Sequence, residues 1–248
     1  MFIDLSLEVD REKNTHALCW DGSQLLSRYL EQQGPEWMQG QNVLELGAGC
    51  GLPGLAAYAL GARSCTLTDL PEAIGQTQFC VALNSSLADD TKNGDAHHDT
   101  KGGGSGSERV DQEHRKRGKK DRPRIRAVPY AWGADTAEIR RYGPFSLVLC
   151  ADVLYSRQGA KALVQALRAV AVDPQTLVLL AYKARNLGEG IFFPLIRRRF
   201  LCERLAPSSH PKTFFGSEYE VFQLRVLSSE GVADESGHNE DYEDSNSE

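Results

Sequence analysis

A glycine-rich turn and one aspartate are the residues best placed to do chemistry. Gly47, Gly49 and Gly51 follow an apolar strand pattern at residues 42–46 and precede a helical pattern. Glycines at a strand-to-helix turn let the backbone approach a ligand closely. Asp69 ends the next strand pattern about twenty residues later, where a carboxylate can accept hydrogen bonds from ribose hydroxyls. Together the two signals predict a nucleotide-type site, whereas the glycines alone would also fit a structural turn.

The spacing of these glycines excludes two common nucleotide sites. A dinucleotide fingerprint of the GxGxxG type needs glycine at position 52, which is Leu52 here. A Walker phosphate loop needs a Gly-Lys-Ser/Thr sequence after the glycines, and none follows. Pro53 also lacks the backbone donor that a phosphate would use. The pattern therefore points away from NAD and from a Walker phosphate loop.

A second group of candidates lies at the end of the fourth strand pattern, residues 145–151. Asp152 and Tyr155 follow it at the edge of an open α/β sheet, where ligands bind. A carboxylate there can hold an ammonium group by a charge-assisted hydrogen bond, and a tyrosine ring can flank the cation. The structural alternative has Asp152 capping the next helix and Tyr155 packed in the core.

Alternating strand and helix patterns position these residues and predict βαβ units with a parallel sheet. The last two strand patterns come in succession, which predicts an antiparallel hairpin. The strand patterns occur at 42–46, 65–68, 125–131, 145–151, 176–182, 201–205 and 220–226. The helical patterns run from Asp21, a candidate N-cap, to near Gly34 and Pro35, from Leu52 to near Gly61, and over 72–84, 163–171 and 190–200.

Composition and charge indicate one globular α/β domain. The chain has 248 residues, of which 41% are hydrophobic and 25% charged. Residues 230–248 hold eight carboxylates without Lys or Arg, so the net charge of −6 leaves the rest of the chain near neutral. No apolar run approaches the roughly 20 residues of a membrane span, and the N-terminus lacks a signal-peptide pattern. The six cysteines show no C-x-x-C spacing, so we expect reduced thiols, no metal site and a cytoplasmic protein that can also be nuclear.

Two polar segments are expected to be disordered. Residues 88–122 form a Gly-, Lys- and Arg-rich insertion, and residues 229–248 form an acidic tail. Neither holds enough apolar residues to offset the entropy cost of ordering. The predicted organisation is therefore one domain over residues 1–228, interrupted by the insertion and followed by the tail. The basic run at 115–120 could attract phosphates or act as a nuclear localisation signal, although such runs are more often solvated.

Five motifs, taken in order, resemble those of a known family. They are Trp20-Asp21-Gly22, residues 45–54 ending in Leu52-Pro53-Gly54, Thr68-Asp69, Trp132-Gly133, and Ala151-Asp152-Val153-Leu154-Tyr155. Over about residues 1–226 the chain resembles the seven-strand non-histone protein-lysine methyltransferases of the methyltransferase-like group, methyltransferase family 16. The resemblance implies an α/β fold with a Rossmann-like seven-stranded sheet, its last strand antiparallel, and helices on both faces. It also implies S-adenosylmethionine as the cofactor.

The resemblance also implies a role for each candidate residue. Seven residues are implied to bind the cofactor: Gly47, Ala48 and Gly49 at its methionine part, Asp69 at the ribose hydroxyls, Trp132 beside the adenine, Trp20 closing over it, and Ala151 lining the site. Asp152 and Tyr155 are implied to be catalytic. No residue is implied to bind a metal.

The implied activity is transfer of a methyl group from S-adenosylmethionine to the side-chain amine of a lysine in a non-histone protein, such as a chaperone, an ATPase or a translation factor. Methyl transfer needs a neutral amine aligned with the sulfonium, so most of the acceleration would come from orientation. Adenine and cytosine amino methyltransferases carry prolines at this strand end, and their absence here argues against nucleic acid as a partner. We expect a monomer that binds a protein substrate and no membrane. Two alternatives stay open: another acceptor, such as protein histidine or a small amine, and a non-catalytic module that interacts with chaperones.

Overall fold

The computed structural model describes residues 18–84, 124–206 and 218–227. Within these residues, seven strands alternate with six helices. The strands are β1 (Asn42–Leu46), β2 (Ser64–Asp69), β3 (Arg124–Pro129), β4 (Leu147–Ala151), β5 (Leu177–Lys183), β6 (Phe200–Arg204) and β7 (Tyr219–Val226). The helices are α1 (Asp21–Met38), α2 (Leu52–Ala59), α3 (Ile74–Leu83), α4 (Ala137–Arg140), α5 (Arg157–Val170) and α6 (Glu189–Ile196).

The strands form one sheet in the order β3-β2-β1-β4-β5-β7-β6. The first five strands pair in parallel, and β7 runs antiparallel to both of its neighbours, β5 and β6. Leu46 at the end of β1 pairs with Thr68 of β2 and Cys150 of β4, so the carboxyl ends of these strands are aligned. The predicted seven-stranded sheet with an antiparallel last strand and a final hairpin is confirmed.

Helices cover both faces of the sheet because the central strands are apolar on both sides. All five residues of β4 are buried. One face packs against α5 and α6 through Leu167 and Phe192, and the other packs against α1 and α2 through Leu25 and Tyr58. Each such large apolar side chain contributes about 1.5–3 kcal/mol when fully buried. The two cores hold the central strands, and therefore their carboxyl ends, in fixed positions.

The first helix departs from the sequence prediction at both ends. Trp20 occupies the N-cap position and makes no side-chain capping bond, so the prediction of Asp21 as the N-cap is wrong. The physical reason lies far away in the chain, since the Gly22 amide in the first turn donates to the Asp152 carboxylate. Gly34 has φ of 84° and interrupts the helix where its end was predicted, and Pro35 opens one further turn that ends at Met38.

Other boundaries shift by a few residues. The helix predicted over 190–200 ends at Ile196, because the chain already enters β6 at Phe200. The four-residue helix α4 was not predicted, since a single turn with one buried residue, Ile139, leaves no periodic pattern. No helix among the described residues is long and apolar enough to cross a membrane.

The two segments predicted to be disordered, 88–122 and 229–248, lie outside the described residues, and so does the basic run at 115–120. The sheet continues on either side of the first segment. Helix α3 ends at Leu83, before this segment. Strand β3 begins at Arg124, after the segment, and pairs in parallel with β2. The first segment is therefore an insertion within one sheet.

Candidate active site

The candidate site lies where the strand order changes direction. From β1 the chain proceeds outward through β2 to β3, whereas from β4 it proceeds the other way to β5. In open α/β sheets, ligands bind in the crevice at the carboxyl ends of the two strands on either side of such a point. A cavity of about 670 Å³ opens there. Its walls include all nine residues predicted from the sequence: Trp20, Gly47, Ala48, Gly49, Asp69, Trp132, Ala151, Asp152 and Tyr155.

The glycine turn between β1 and α2 needs its glycines for both conformation and space. Gly47, Gly49 and Gly51 have φ of 69°, 55° and 77°, which side chains rarely adopt. A Cβ at Gly47 would also lie 2.8 Å from the Trp132 ring. The turn therefore brings bare backbone to the cavity wall directly beside an indole ring.

Asp69 ties this turn to the end of β2. Its Oδ2 accepts a hydrogen bond from the Gly49 amide at 2.6 Å, and its Oδ1 accepts one from the Leu70 amide at 2.7 Å. The side chain is buried but lines the cavity. A carboxylate has about four acceptor positions, so each oxygen keeps one for a ligand. The glycines and the aspartate, paired in the sequence prediction only by spacing, are in direct contact.

Glu45 supports the same turn from below the cavity. Its Oε2 accepts a hydrogen bond from the Gly54 amide in the first turn of α2 at 2.9 Å. Burial raises the pKa of the Glu45 carboxyl well above its usual range, with the nearby Cys50 and Asp69 acting in the same direction and the Gly54 hydrogen bond opposing them. Glu45 belongs to the second family motif, but no role was predicted for it, because the sequence does not indicate that this glutamate is buried.

Aromatic rings line the cavity beside the glycine turn and at its rim. The rings of Trp132 and Tyr155 lie 6.3 Å apart between centroids and are tilted by 40°. Trp20 and Tyr155 are exposed at the mouth of the cavity, so the alternative of Tyr155 in the core is wrong. Burial of the phenol, with a smaller contribution from Asp69, raises the pKa of Tyr155, so the ring stays uncharged at neutral pH.

Asp152 has an unusual backbone conformation and a buried side chain that accepts three hydrogen bonds. Its φ of 52° lies in the left-handed region, where aspartate is among the few side chains that are enriched. Its side chain is only 3% exposed. Oδ2 accepts from the Gly22 amide at 2.5 Å, and Oδ1 accepts from the Lys183 amide at 3.1 Å and from the Arg185 guanidinium at 2.7 Å.

The structural alternative for Asp152, a cap on the next helix, is also wrong. That helix, α5, is capped by Ser156, whose Oγ accepts from the Gly159 amide at 3.0 Å. Asp152 instead binds the first turn of α1 across the sheet. The contact is tight, since a Cβ at Gly22 would lie 2.7 Å from the Asp152 Oδ2.

Several cavity residues were missed by the sequence prediction. Arg185 follows the carboxyl end of β5 and lines the cavity beside Asp152 and Trp20. The rule that placed the other candidates at strand ends could have found it, but a lone arginine after a strand has no motif. The other additions include Leu18, Ser23, Tyr130, Ser156, Gln158 and Leu187.

The walls fit a nucleoside ligand in their chemistry. The cavity volume falls in the range of about 300–1,000 Å³ that is usual for small-molecule sites. An acceptor carboxylate for hydroxyls, a flat ring for a base and a side-chain-free turn lie around one space. Within the described residues, no group of three or more His, Cys, Asp or Glu side chains could hold a metal ion.

Comparison with known proteins identifies the family. The model of a family described as lysine methyltransferase matches residues 3–95 and 110–199. The chain belongs to this lysine methyltransferase family. The resemblance predicted from five motifs is thereby confirmed.

Three relatives of the chain come from frog, fish and yeast. Over 187 residues the chain is 29% identical to EEF1A lysine methyltransferase 3 of Xenopus tropicalis, and this match covers 75% of the chain and 66% of that protein. Over 189 residues it is 28% identical to protein N-lysine methyltransferase METTL21A of Danio rerio, covering 76% and 70%. Over 181 residues it is 26% identical to protein N-terminal and lysine N-methyltransferase EFM7 of Yarrowia lipolytica, covering 71% and 60%. The chain thus spans less than two thirds of the length of the first and third of these relatives.

Proposed function

We propose that this protein transfers a methyl group from S-adenosylmethionine to the side-chain amine of a lysine in a non-histone protein. The observation that carries the proposal is the shared cavity, whose walls include Asp152 and Tyr155 together with the glycine turn and Asp69. Membership of the lysine methyltransferase family supports the same reaction.

The cofactor half of the cavity contains the seven residues predicted to bind S-adenosylmethionine. Gly47, Ala48 and Gly49 present backbone to its methionine part, and the free acceptor positions of Asp69 receive the ribose hydroxyls. Trp132 flanks the adenine. Trp20 and Ala151 line the same cavity and would contact the bound cofactor. When bound, S-adenosylmethionine supplies an electrophilic methyl group on a positively charged sulfur.

The acceptor half of the cavity positions a lysine amine. Three of the four acceptor positions of the Asp152 carboxylate are occupied by described residues, which leaves one on Oδ2 for an incoming ammonium. The exposed Tyr155 ring flanks the same space and can stabilise a cation over its face. Holding the amine in line with the methyl group makes the bimolecular methyl transfer effectively unimolecular, and this accelerates the reaction.

The substrate is proposed to be a protein of the chaperone, ATPase or translation-factor type. One relative is named for the lysine methylation of EEF1A, which supports the last of these for that protein and, by family, for this one. We propose that the protein acts as a monomer on a protein substrate in the cytoplasm and also in the nucleus. Its six free cysteines support a reducing compartment.

The test is incubation with cell extract and methyl-labelled S-adenosylmethionine, followed by mass spectrometry of labelled bands. Asp152→Asn is compared with Asp173→Asn, because Asp173 also accepts a backbone amide, from Gln175 at 2.8 Å, but lies outside the cavity. We expect a discrete band that carries methyl-lysine, at least about tenfold weaker with Asp152→Asn and unchanged with Asp173→Asn. Label on histidine, on a terminal amine or on small molecules would overturn the lysine assignment. Cofactor binding without any label would favour the non-catalytic interaction module.

A further inference from the structure

The Asp152 carboxylate already has a cationic partner at the cavity wall. The Arg185 guanidinium lies 2.7 Å from Oδ1, and its side chain is 35% exposed while that of Asp152 is 3% exposed. Lys183, two residues earlier, directs its ammonium to Asp21 at 3.5 Å instead. Among the described residues, Arg185 is therefore the side chain that balances the charge of Asp152.

The position of Arg185 is fixed from several directions. Its guanidinium also donates to the Lys183 carbonyl at 3.2 Å and lies 5.6 Å from the centre of the Trp20 ring. Its backbone amide donates to Glu189 Oε1 at 2.9 Å. The loop that follows packs closely on the residues after Asp152, since a Cβ at Gly188 would lie 3.0 Å from the Ser156 carbonyl oxygen. These contacts hold the Arg185 guanidinium against Asp152.

An unbalanced carboxylate would work against methyl transfer. The reacting amine must be neutral, and a lysine in water has a pKa of about 10.4. An opposite charge within hydrogen-bond distance favours the ammonium form and raises that pKa further. With Arg185 on Oδ1, the pair has no net charge, while Oδ2 still offers an acceptor that orients the amine.

We propose that Arg185 is a positioning residue that acts through Asp152 and keeps the proton affinity of the acceptor lysine low. This inference rests on the proposed function and adds to it a residue that controls whether the acceptor lysine is protonated. Arg185 need not touch the acceptor, because its effect is to cancel the charge of the carboxylate that does.

The other ionisable groups around the pair are engaged elsewhere. Asp21 on α1 is balanced by Lys183, and Glu189 on α6 accepts backbone amides of the 185–188 loop. Asp69 binds the glycine turn. Near the pair, Lys183 and Tyr219 both contact Asp21, Glu189 accepts from the Arg185 amide, and Asp69 and Tyr155 line the same cavity. Loss of Arg185 therefore exposes the charge of Asp152 without a second described cation in contact with that carboxylate.

The experiment compares Arg185→Gln and Arg185→Lys with the wild type. The control is Arg141→Gln, which removes an arginine from the exposed ion pair with Glu138. The acceptor is the protein purified from the band that the wild type labels. Two quantities are measured: kcat against pH at saturating acceptor, and the affinity for the acceptor at pH 7 with S-adenosylhomocysteine in place of the reactive cofactor.

For Arg185→Gln we expect the kcat profile to move to higher pH by about one unit, with kcat at pH 7 about tenfold lower. Its affinity for the acceptor should equal or exceed that of the wild type, because the bare carboxylate binds the ammonium more strongly. Arg185→Lys keeps the charge and should keep the wild-type profile, as should Arg141→Gln.

Three results would overturn the inference. One is a kcat for Arg185→Gln that falls equally at every pH, as for a structural defect, and another is weaker acceptor binding with an unshifted profile, as for direct substrate contact. The third, available even if Arg185→Gln does not fold, is a shifted profile for Arg185→Lys. Absence of lysine labelling by the wild type, seen before any variant is made, overturns the proposed function and this inference with it.

Discussion

Replacing Asp69 should weaken cofactor binding by an amount that follows from its hydrogen bonds. The carboxylate accepts two backbone amides at 2.6 and 2.7 Å and keeps one acceptor position on each oxygen toward the cavity. Hydrogen bonds to a charged group contribute about 1.5–3 kcal/mol each. Loss of one such bond to a ribose hydroxyl corresponds to a roughly 10- to 150-fold increase in Kd.

Asp69→Ala and Asp69→Asn should both weaken cofactor binding. Asp69→Ala leaves the Gly49 and Leu70 amides without their acceptor and frees the glycine turn, so its Kd should lie at the upper end of that range. Asp69→Asn keeps one oxygen but turns an amide group toward a second backbone donor, so it should lose nearly as much. Without cofactor, we expect Asp69→Ala to lower the free energy of unfolding by about 1–3 kcal/mol, because two backbone amides lose their acceptor.

The assay is calorimetric titration with S-adenosylmethionine and with S-adenosylhomocysteine. Thermal unfolding of each variant is recorded with and without the ligands, since a ligand stabilises only the state that binds it. Asp173→Ala is the matched control, because it also removes an aspartate that accepts a backbone amide, at a site outside the cavity. A Kd for Asp69→Ala within about twofold of the wild type would refute the assignment of this carboxylate to the cofactor.

Two further predictions concern the glycine turn and the glutamate beneath it. Gly47→Ala should lower Tm and weaken cofactor binding, because φ is 69° and the new Cβ would lie 2.8 Å from Trp132. Gly61→Ala is the control, because φ is 95° there and no atom lies near the new Cβ. It should lower the free energy of unfolding only by the backbone strain of about 1–2 kcal/mol. An equal decrease in the free energy of unfolding at both sites would exclude a role for the contact with the Trp132 ring. Burial holds the pKa of Glu45 above its unfolded value, so its stabilisation is complete below the unfolded pKa and is lost as pH rises toward the folded pKa. Glu45→Gln, which can still accept from Gly54, should therefore gain stability relative to the wild type as pH rises above the unfolded pKa in denaturant titrations, and a difference independent of pH would contradict this.

The sheet and the location of the site were predictable because both follow from local patterns. Buried parallel strands are continuous apolar runs, as in 145–151, and turn residues mark their ends. Parallel strands bring their carboxyl ends to one edge, so residues at the ends of separate strands, such as Asp69 and Asp152, meet around one cavity. Spacing within a strand-turn-helix unit thus carries information about the site as well as about the fold.

Contacts between distant segments were not predictable in the same way. The N-cap assignment of Asp21 was wrong because the first turn of α1 is satisfied by a carboxylate 130 positions further along the chain. Arg185 was missed because its role depends on a buried partner on a different strand end. No local propensity records either pairing, since both exist only after β4, β5 and α1 have packed together.

The contact between Gly22 and Asp152 couples the two halves of the cavity. Trp20, proposed to lie over the cofactor, occupies the N-cap of α1, and the amide two residues later donates to the carboxylate proposed to receive the lysine. A change that removes this carboxylate should therefore displace Trp20 as well as the acceptor. Loss of activity in Asp152→Ala alone would not distinguish the two effects. Asp152→Asn keeps an oxygen that can accept the Gly22 amide, so a variant that binds S-adenosylmethionine normally and still fails to methylate lysine would assign the carboxylate to the acceptor.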